Sequence, residues 1–279
     1  MNCGLLWVTY AKDLEWFRVS ARSYSKFARG WAAAKCVVPT QDVEAFKPIC
    51  DQNGIFLVGF DEWPGKGQLH HQAMKCYGDL HFPKADVIFH IDADAVFAQD
   101  CKPADWIIDG KILLPFRDFD SLLTKPVYPG EEMDFQGYHG LKVDFQRGAY
   151  MWKFAADIAL GWPVVRETMQ CLPIAHHRAV YDTARKCVAA QHDTSFEGYV
   201  RNCRNEFPQT FCEFNTLGAV AHKFHNERYI WHNVLSHGQP RWGRVIQSHS
   251  HSGFDKPHDN QVGHGPESPK QLFTRLGLL

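Results

Sequence analysis

The sequence predicts an α/β fold, a single domain built on a central, mostly parallel sheet with helices on its faces. Three observations predict it. With 279 residues, 45% of them hydrophobic, the chain is long enough to bury one large core. Its first 80 residues alternate short β-branched and aromatic runs with stretches of helical periodicity, the pattern of repeated β-α-β units. The run Val87 to Phe97, VIFHIDADAVF, is apolar on both sides of a carboxylate pair, as expected of a strand buried on both faces in the middle of such a sheet.

Leu5 to Tyr10 (LLWVTY) reads as the first strand, and Lys12 to Phe27 as a helix with Leu14, Phe17, Ala21 and Tyr24 on one face. A second strand, Cys36 to Val38, ends at Pro39. Asp42 to Gln52 follows as a helix closed by Asn53-Gly54. Then come a third strand, Ile55 to Phe60, and a Gly/Pro-rich loop, Asp61 to Gly67. Gln68 to Leu80 reads as an amphipathic helix with Leu69, Ala73, Cys76, Tyr77 and Leu80 turned inward. The strand bearing Asp92 and Asp94 is next, and Lys111 to Phe116 is another, ending at Arg117, Asp118 and Asp120. Thr124 to Gly148 is a long irregular region, of the kind that is functional or mobile. Met151 to Leu160, Ala175 to Gln191 and Thr210 to Phe224 read as helices. In the last, Phe211, Phe214, Leu217, Ala221 and Phe224 fall in register. Arg228 to Val234 and Gly243 to His249 read as short strands. Ser252 to Pro269, rich in Gly, Pro and His, reads as a lid or strap.

Composition narrows the function. Net charge is −1, yet residues 1–140 carry 14 Lys and Arg against 19 Asp and Glu, whereas residues 141–251 carry 13 against 9 and nine of the sixteen histidines. A first half that holds a cation and a second half that faces an anionic or sugar-like partner fit this asymmetry. No run of roughly 18 apolar residues occurs and the amino terminus has no basic region followed by a long apolar segment, so a soluble, cytoplasmic protein is expected. The nine cysteines form no C-x-x-C pair and are expected to be reduced packing residues.

The chemistry centres on Asp92 and Asp94. Two carboxylates one residue apart at the end of a buried strand repel unless a cation lies between them. Mg²⁺ or Mn²⁺ with a phosphate-bearing ligand suits such hard oxygen donors. In parallel sheets the ligand lies at the carboxyl ends of the strands, which makes Thr9, Tyr10 and Asp61 candidate contacts. Lys75 and Arg117 are candidate phosphate partners. In Gln247-Ser248-His249-Ser250-His251, an extended backbone puts His249 and His251 on one side, where either can supply a third metal ligand. Glu213 opens a helix, where the dipole favours a charged carboxylate, and is the candidate base. Thr210-x-x-Glu213 also matches a capping box, which offers Glu213 a purely structural role. Trp152, Trp162, Trp231 and Trp242 are candidate stacking surfaces or core residues.

With these residues in place the chain resembles the GT-A-type glycosyltransferases, a Rossmann-like fold. The resemblance is carried by LLWVTYAKD, QLHHQAMK, VIFHIDADAVF, FCEFNTLGAVAHKF and the late SHSH segment, in that order. It implies that residues 1–120 bind a nucleotide-sugar donor, and that residues 121–279 bind the acceptor and close the site within the same domain. It assigns Asp94 to the metal, Asp92 to metal or ribose, His249 or His251 to the remaining coordination, and Glu213 to the acceptor hydroxyl of an inverting enzyme. The implied donor is a UDP-sugar and the implied ion Mn²⁺ or Mg²⁺. Lacking a secretory anchor and N-glycosylation sequons, the chain departs from Golgi members and resembles bacterial or phage enzymes more. The acceptor is open between a glycan, a metabolite and 5-hydroxymethyl-pyrimidine DNA. For DNA, Arg178, Arg185, Lys186, Arg201 and Arg204 are candidate phosphate contacts.

Two other classes fit parts of the pattern. Asp92-Ala-Asp94-Ala-Val96 matches the motif of haloacid-dehalogenase-type phosphatases, with Asp92 as nucleophile, although that motif follows the first strand of its domain. A non-catalytic nucleotide- or sugar-binding protein needs the same metal and nucleotide contacts without turnover.

Overall fold

The computed structural model describes residues 1–122, 146–170, 172–204, 210–238, 244–248, 253–255 and 267–279. Along the chain run β1 (Cys3–Val8), α1 (Leu14–Phe27), β2 (Ala33–Pro39), α2 (Val43–Asn53), β3 (Phe56–Phe60), α3 (Gly67–Lys75), α4 (Gly78–His81), β4 (Val87–His90), β5 (Ala95–Phe97), β6 (Ile107–Ile108), β7 (Lys111–Asp118), α5 (Phe119–Leu122), α6 (Gln146–Leu160), β8 (Arg166–Glu167), β9 (Ile174–His177), α7 (Arg178–His192), α8 (Phe196–Asn202), α9 (Glu213–Phe224), β10 (Tyr229–Asn233), α10 (Val234–His237), β11 (Val245–Gln247) and α11 (Pro269–Arg275).

The main sheet has strand order β3-β2-β1-β4-β9, parallel except for β9, which runs antiparallel to β4. β1 is buried along its whole length because helices cover both faces of the sheet. On one face Trp7 packs edge-on against Phe17 and Tyr24 of α1, and its indole N–H donates to Ser20 Oγ at 3.0 Å, so the large ring is buried without an orphaned donor. Gly54 ends α2 at φ 66°, the left-handed cap expected of Asn53-Gly54. The chain winds outward from β1 to β2 and β3, then crosses back to put β4 on the other side of β1. That reversal is the switch point at which open α/β sheets form their ligand crevice.

Three parts of the sequence reading change. Val87 to Phe97 is not one strand: it breaks at Asp92–Asp94, and its second piece, β5, leaves the main sheet to pair antiparallel with β11. A buried ladder cannot carry two carboxylates, so the backbone turns there, with Ala95 N–H donating to Asp92 O. The amphipathic stretch Gln68 to Leu80 is two helices, and Leu80 is 63% exposed rather than inward. Ala175 to Gln191 begins as the strand β9 and turns helical only at Arg178. A second sheet pairs β10, β7 and β6, with β8 against the end of β7. The described cysteines are free and nearly all buried, as packing residues should be. Among the described residues no helix is long and apolar enough to cross a membrane. The long region 124–148, except where α6 begins, and most of the strap 252–269 lie outside the described residues.

Behind the switch point two histidines are fully enclosed. His90 contacts the Tyr181 hydroxyl through Nε2 at 2.6 Å, while neither ring nitrogen of His176 has a partner. Burial lowers His176 to about 3 and holds His90 well below its ordinary value. Both are therefore neutral in the folded chain and must not gain protons. Below pH 6.5 the unfolded chain binds protons that these rings refuse, so stability present above that pH is lost as pH falls toward 3. His176→Leu is expected to remove about 1.4 kcal/mol per pH unit from that slope. Urea titrations of both proteins between pH 4 and 7 check this, and identical slopes would contradict it.

Candidate functional site

A cleft of about 300 Å³ opens at the switch point, lined by the carboxyl end of β1 (Val8, Thr9, Tyr10), the turn after β4 (Asp92, Ala93, Asp94), one face of α3, and Lys12, Asp13, Trp152, Met169 and Glu213. Helical spacing explains the α3 contribution. Gln68, His71, Gln72 and Lys75 recur at i, i+3, i+4 and i+7 and form a polar stripe along the cleft, while Leu69 and Ala73 pack into the core. The motif QLHHQAMK contains both stripes, and a search for apolar positions alone finds only the second.

Lys75 holds the floor of the cleft. Its Nζ donates to Asp92 Oδ1 at 3.0 Å and to Glu213 Oε1 at 3.1 Å, and lies 4.5 Å from the Phe214 ring centre. The side chains of Lys75 and Glu213 are each 5% exposed. Burial by itself would lower the Lys75 pKa, but the two carboxylates outweigh it and keep the ammonium protonated. Lys75 ends α3 and Glu213 opens α9, so each charge sits at the helix terminus whose dipole favours it. Removing one partner of such a pair costs about 3–5 kcal/mol, because the other charge stays buried.

Glu213 is not a capping residue. The helix begins at Glu213 itself, Cys212 is its N-cap, and the Thr210 hydroxyl instead accepts from Arg204 N–H. The other carboxylate oxygen, Oε2, is buried without a hydrogen-bond partner. The start of α9 is pinned from the side by Thr168, whose N–H and hydroxyl donate to Asn215 Oδ1 and Phe214 O. Gly218 allows this approach, since a Cβ there would collide with the Thr168 side chain.

The carboxylate pair converges on one donor. Gln247 Nε2 lies 3.3 Å from Asp92 Oδ2 and 3.2 Å from Asp94 Oδ1, and Ser248 N–H donates to Asp94 O at 2.9 Å. The β5–β11 pairing delivers Gln247 to this point from the far end of the chain. The expected ligands His249 and His251 lie outside the described residues, as does Trp242. Among the described residues no cluster of three or more His, Cys, Asp or Glu is arranged to hold a metal ion. His71 meets Val8 O through Nε2, and since a carbonyl only accepts, that nitrogen carries the proton. Burial, reinforced by the Lys75 charge, lowers His71 to about 3, so the ring is neutral and Nδ1 is an acceptor.

Of the residues expected at the site, Thr9, Tyr10, Lys75, Asp92, Asp94, Trp152 and Glu213 come together. Asp61 and Arg117 are outside the lining. Asp61 accepts from the Thr40 hydroxyl, and Arg117 donates through Nε to the buried Glu167 at 2.9 Å. An unpaired Glu167 charge would be costly there, which fixes Arg117 away from the cleft. Lys75 is present but faces two carboxylates rather than an open phosphate position. Trp162 packs edge-on against Phe224, and Trp231 lies under Arg166. Lys12, Asp13, Gln68, His71, Gln72 and Met169 of the lining, and Gln247 on the two aspartates, are contacts that sequence reasoning missed.

A scan of the chain against protein-family models finds no match, and a search of curated proteins finds no similar sequence.

Proposed function

We propose that the chain is a divalent-cation-dependent glycosyltransferase of the GT-A type, which moves a sugar from a nucleoside diphosphate sugar, most simply a UDP-sugar, to an acceptor hydroxyl with inversion. One observation carries this reading: the aligned carboxylates of Asp92 and Asp94 share the switch-point cleft with a buried carboxylate, Glu213, from the other half of the chain.

The donor set fits Mg²⁺ or Mn²⁺. Both aspartates reach the same Gln247 nitrogen, so one positive centre can serve both, and their oxygens are the hard ligands these ions take. The lining holds four carboxylates (Asp13, Asp92, Asp94, Glu213) against two lysines (Lys12, Lys75), a balance that repels a bare diphosphate. Asp92 and Asp94 would hold the ion, which when bound neutralises charge on the departing diphosphate. On the chain's own side, Glu213 takes the proton of the acceptor hydroxyl. To do so its carboxylate has to rotate Oε2 out of its enclosed position while Lys75 retains its hold on the side chain. Tyr10 and Trp152 line the cleft as aromatic surface for a base or sugar, with Lys12 over the Tyr10 ring, and His71 Nδ1 offers an acceptor to a hydroxyl.

The acceptor reading shifts toward a glycan or other small hydroxylated molecule. Arg185 is bidentate to Asp79, while Lys186 and Arg201 pair with Asp182 and Glu197, so much of the basic face that DNA phosphates would need is already neutralised. A haloacid-dehalogenase-type phosphatase is disfavoured because Asp92 follows the fourth strand in chain order, not the first.

A thermal-shift panel of nucleoside diphosphate sugars with and without Mn²⁺ tests the proposal. At a hundredfold excess over Kd a ligand contributes about 2.7 kcal/mol, roughly 5 °C or more for a chain of this size. The rise is expected only with donor and metal together, followed by donor consumption when an acceptor is added. No rise with any donor would overturn the proposal, and a rise without consumption would favour a binding protein.

A further inference from the structure

We propose that Lys75 is a positioning residue that makes cation binding at Asp92 and the state of Glu213 depend on each other, an inference that rests on the transferase reading above. The geometry is specific. One enclosed ammonium serves two carboxylates from opposite halves of the chain, at 3.0 Å and 3.1 Å, and the Phe214 ring covers a further side. Solvent cannot supply a substitute, since the Lys75 side chain is 5% exposed. The two carboxylates therefore draw on the same charge.

A divalent ion at Asp92 and Asp94 competes with the ammonium for Asp92 and drives Lys75 toward Glu213. Conversely, neutralising Glu213 leaves Lys75 to Asp92 alone, which weakens the hold of Asp92 on an added cation. Such an effect is reciprocal, because each site changes the other by the same factor. The backbone restricts escape: Lys75 closes α3 and Glu213 opens α9, whose first turn Thr168 pins. Lys75 thus does not face the diphosphate; it links the cation end of the cleft to the acceptor end.

The test needs neither donor nor acceptor. Mn²⁺ binding to the full chain is titrated by electron paramagnetic resonance for the wild type, Glu213→Gln, Lys75→Met and the double variant. Glu213→Gln is expected to weaken Mn²⁺ about tenfold, within the usual range of site-to-site coupling, and Lys75→Met to tighten it about tenfold. In the Lys75→Met background, Glu213→Gln should change affinity by less than about twofold, the non-additivity that marks a shared partner. Lys75→Arg, which keeps the charge, should stay within about threefold of wild type. If Glu213→Gln acts equally with and without Lys75, the two ends do not communicate through it and the proposal falls while the cation site stands. If the wild type binds no Mn²⁺, the transferase reading falls and this inference with it. Should Lys75→Met not fold, Lys75→Gln, an uncharged donor in the same space, completes the same cycle.

Discussion

Asp94→Ala is expected to abolish sugar transfer and the metal-dependent stabilisation by donor nucleotide while leaving the fold intact. Asp94 sits in a turn outside the regular ladder, where its carboxylate accepts from Gln247. The remaining aspartate, Asp92, is already bonded to Lys75, so a cation would have to compete with that ammonium for it. Stabilising the charge of a leaving diphosphate is worth several kcal/mol, and each 1.36 kcal/mol is a factor of ten in rate, so a loss of about 10³-fold or more is expected. Product formation measured with saturating donor and Mn²⁺ checks it. Turnover unchanged within a few-fold would remove the basis for assigning the cleft to metal-assisted transfer.

The second large effect is at Glu213. Glu213→Gln keeps the shape and an oxygen for Lys75 but cannot accept a proton, and general-base removal costs about 10²–10⁴-fold in kcat. Donor binding should stay within about tenfold of wild type, the range set by the coupling through Lys75, because the proposal places the donor's phosphates at the Asp92–Asp94 end of the cleft. The split between kcat and donor affinity distinguishes chemistry from structure. A variant that only melts earlier, with turnover per folded molecule retained, would reduce Glu213 to a buried ion-pair partner.

How much of this could be read from the chain depends on the range of the interactions. The β1 to β4 half was legible because each strand and helix is specified by local periodicity, and the carboxyl-end placement of Thr9, Tyr10 and Asp92 follows from parallel topology. The break of VIFHIDADAVF at its two carboxylates had a local signal, but the destination of Ala95 to Phe97 did not, since its antiparallel partner β11 lies about 150 residues later. For the same reason Gln247 was invisible beside the more conspicuous histidines that follow it. Strand β9 was missed because IAHH has no alternation of its own and is strand only by pairing with β4. At Glu213 two local rules competed, the capping box and the helix dipole. The structure decides for the latter: the helix starts at Glu213, whose carboxylate pairs with Lys75 instead of capping. By contrast α11, unforeseen, carried a local signal throughout: Ser268-Pro269-x-Gln271 forms a complete capping box.

One divalent ion, shared with a diphosphate, is expected to bind Asp92 and Asp94 at the carboxyl end of the switch-point strands. Anomalous diffraction at the manganese edge, from crystals grown with Mn²⁺ and UDP, addresses it directly. A single strong peak bonded to both aspartates and to the pyrophosphate oxygens is the predicted result. A peak bound elsewhere, or UDP lodged in the cleft against Lys75 with no metal on either aspartate, would contradict it.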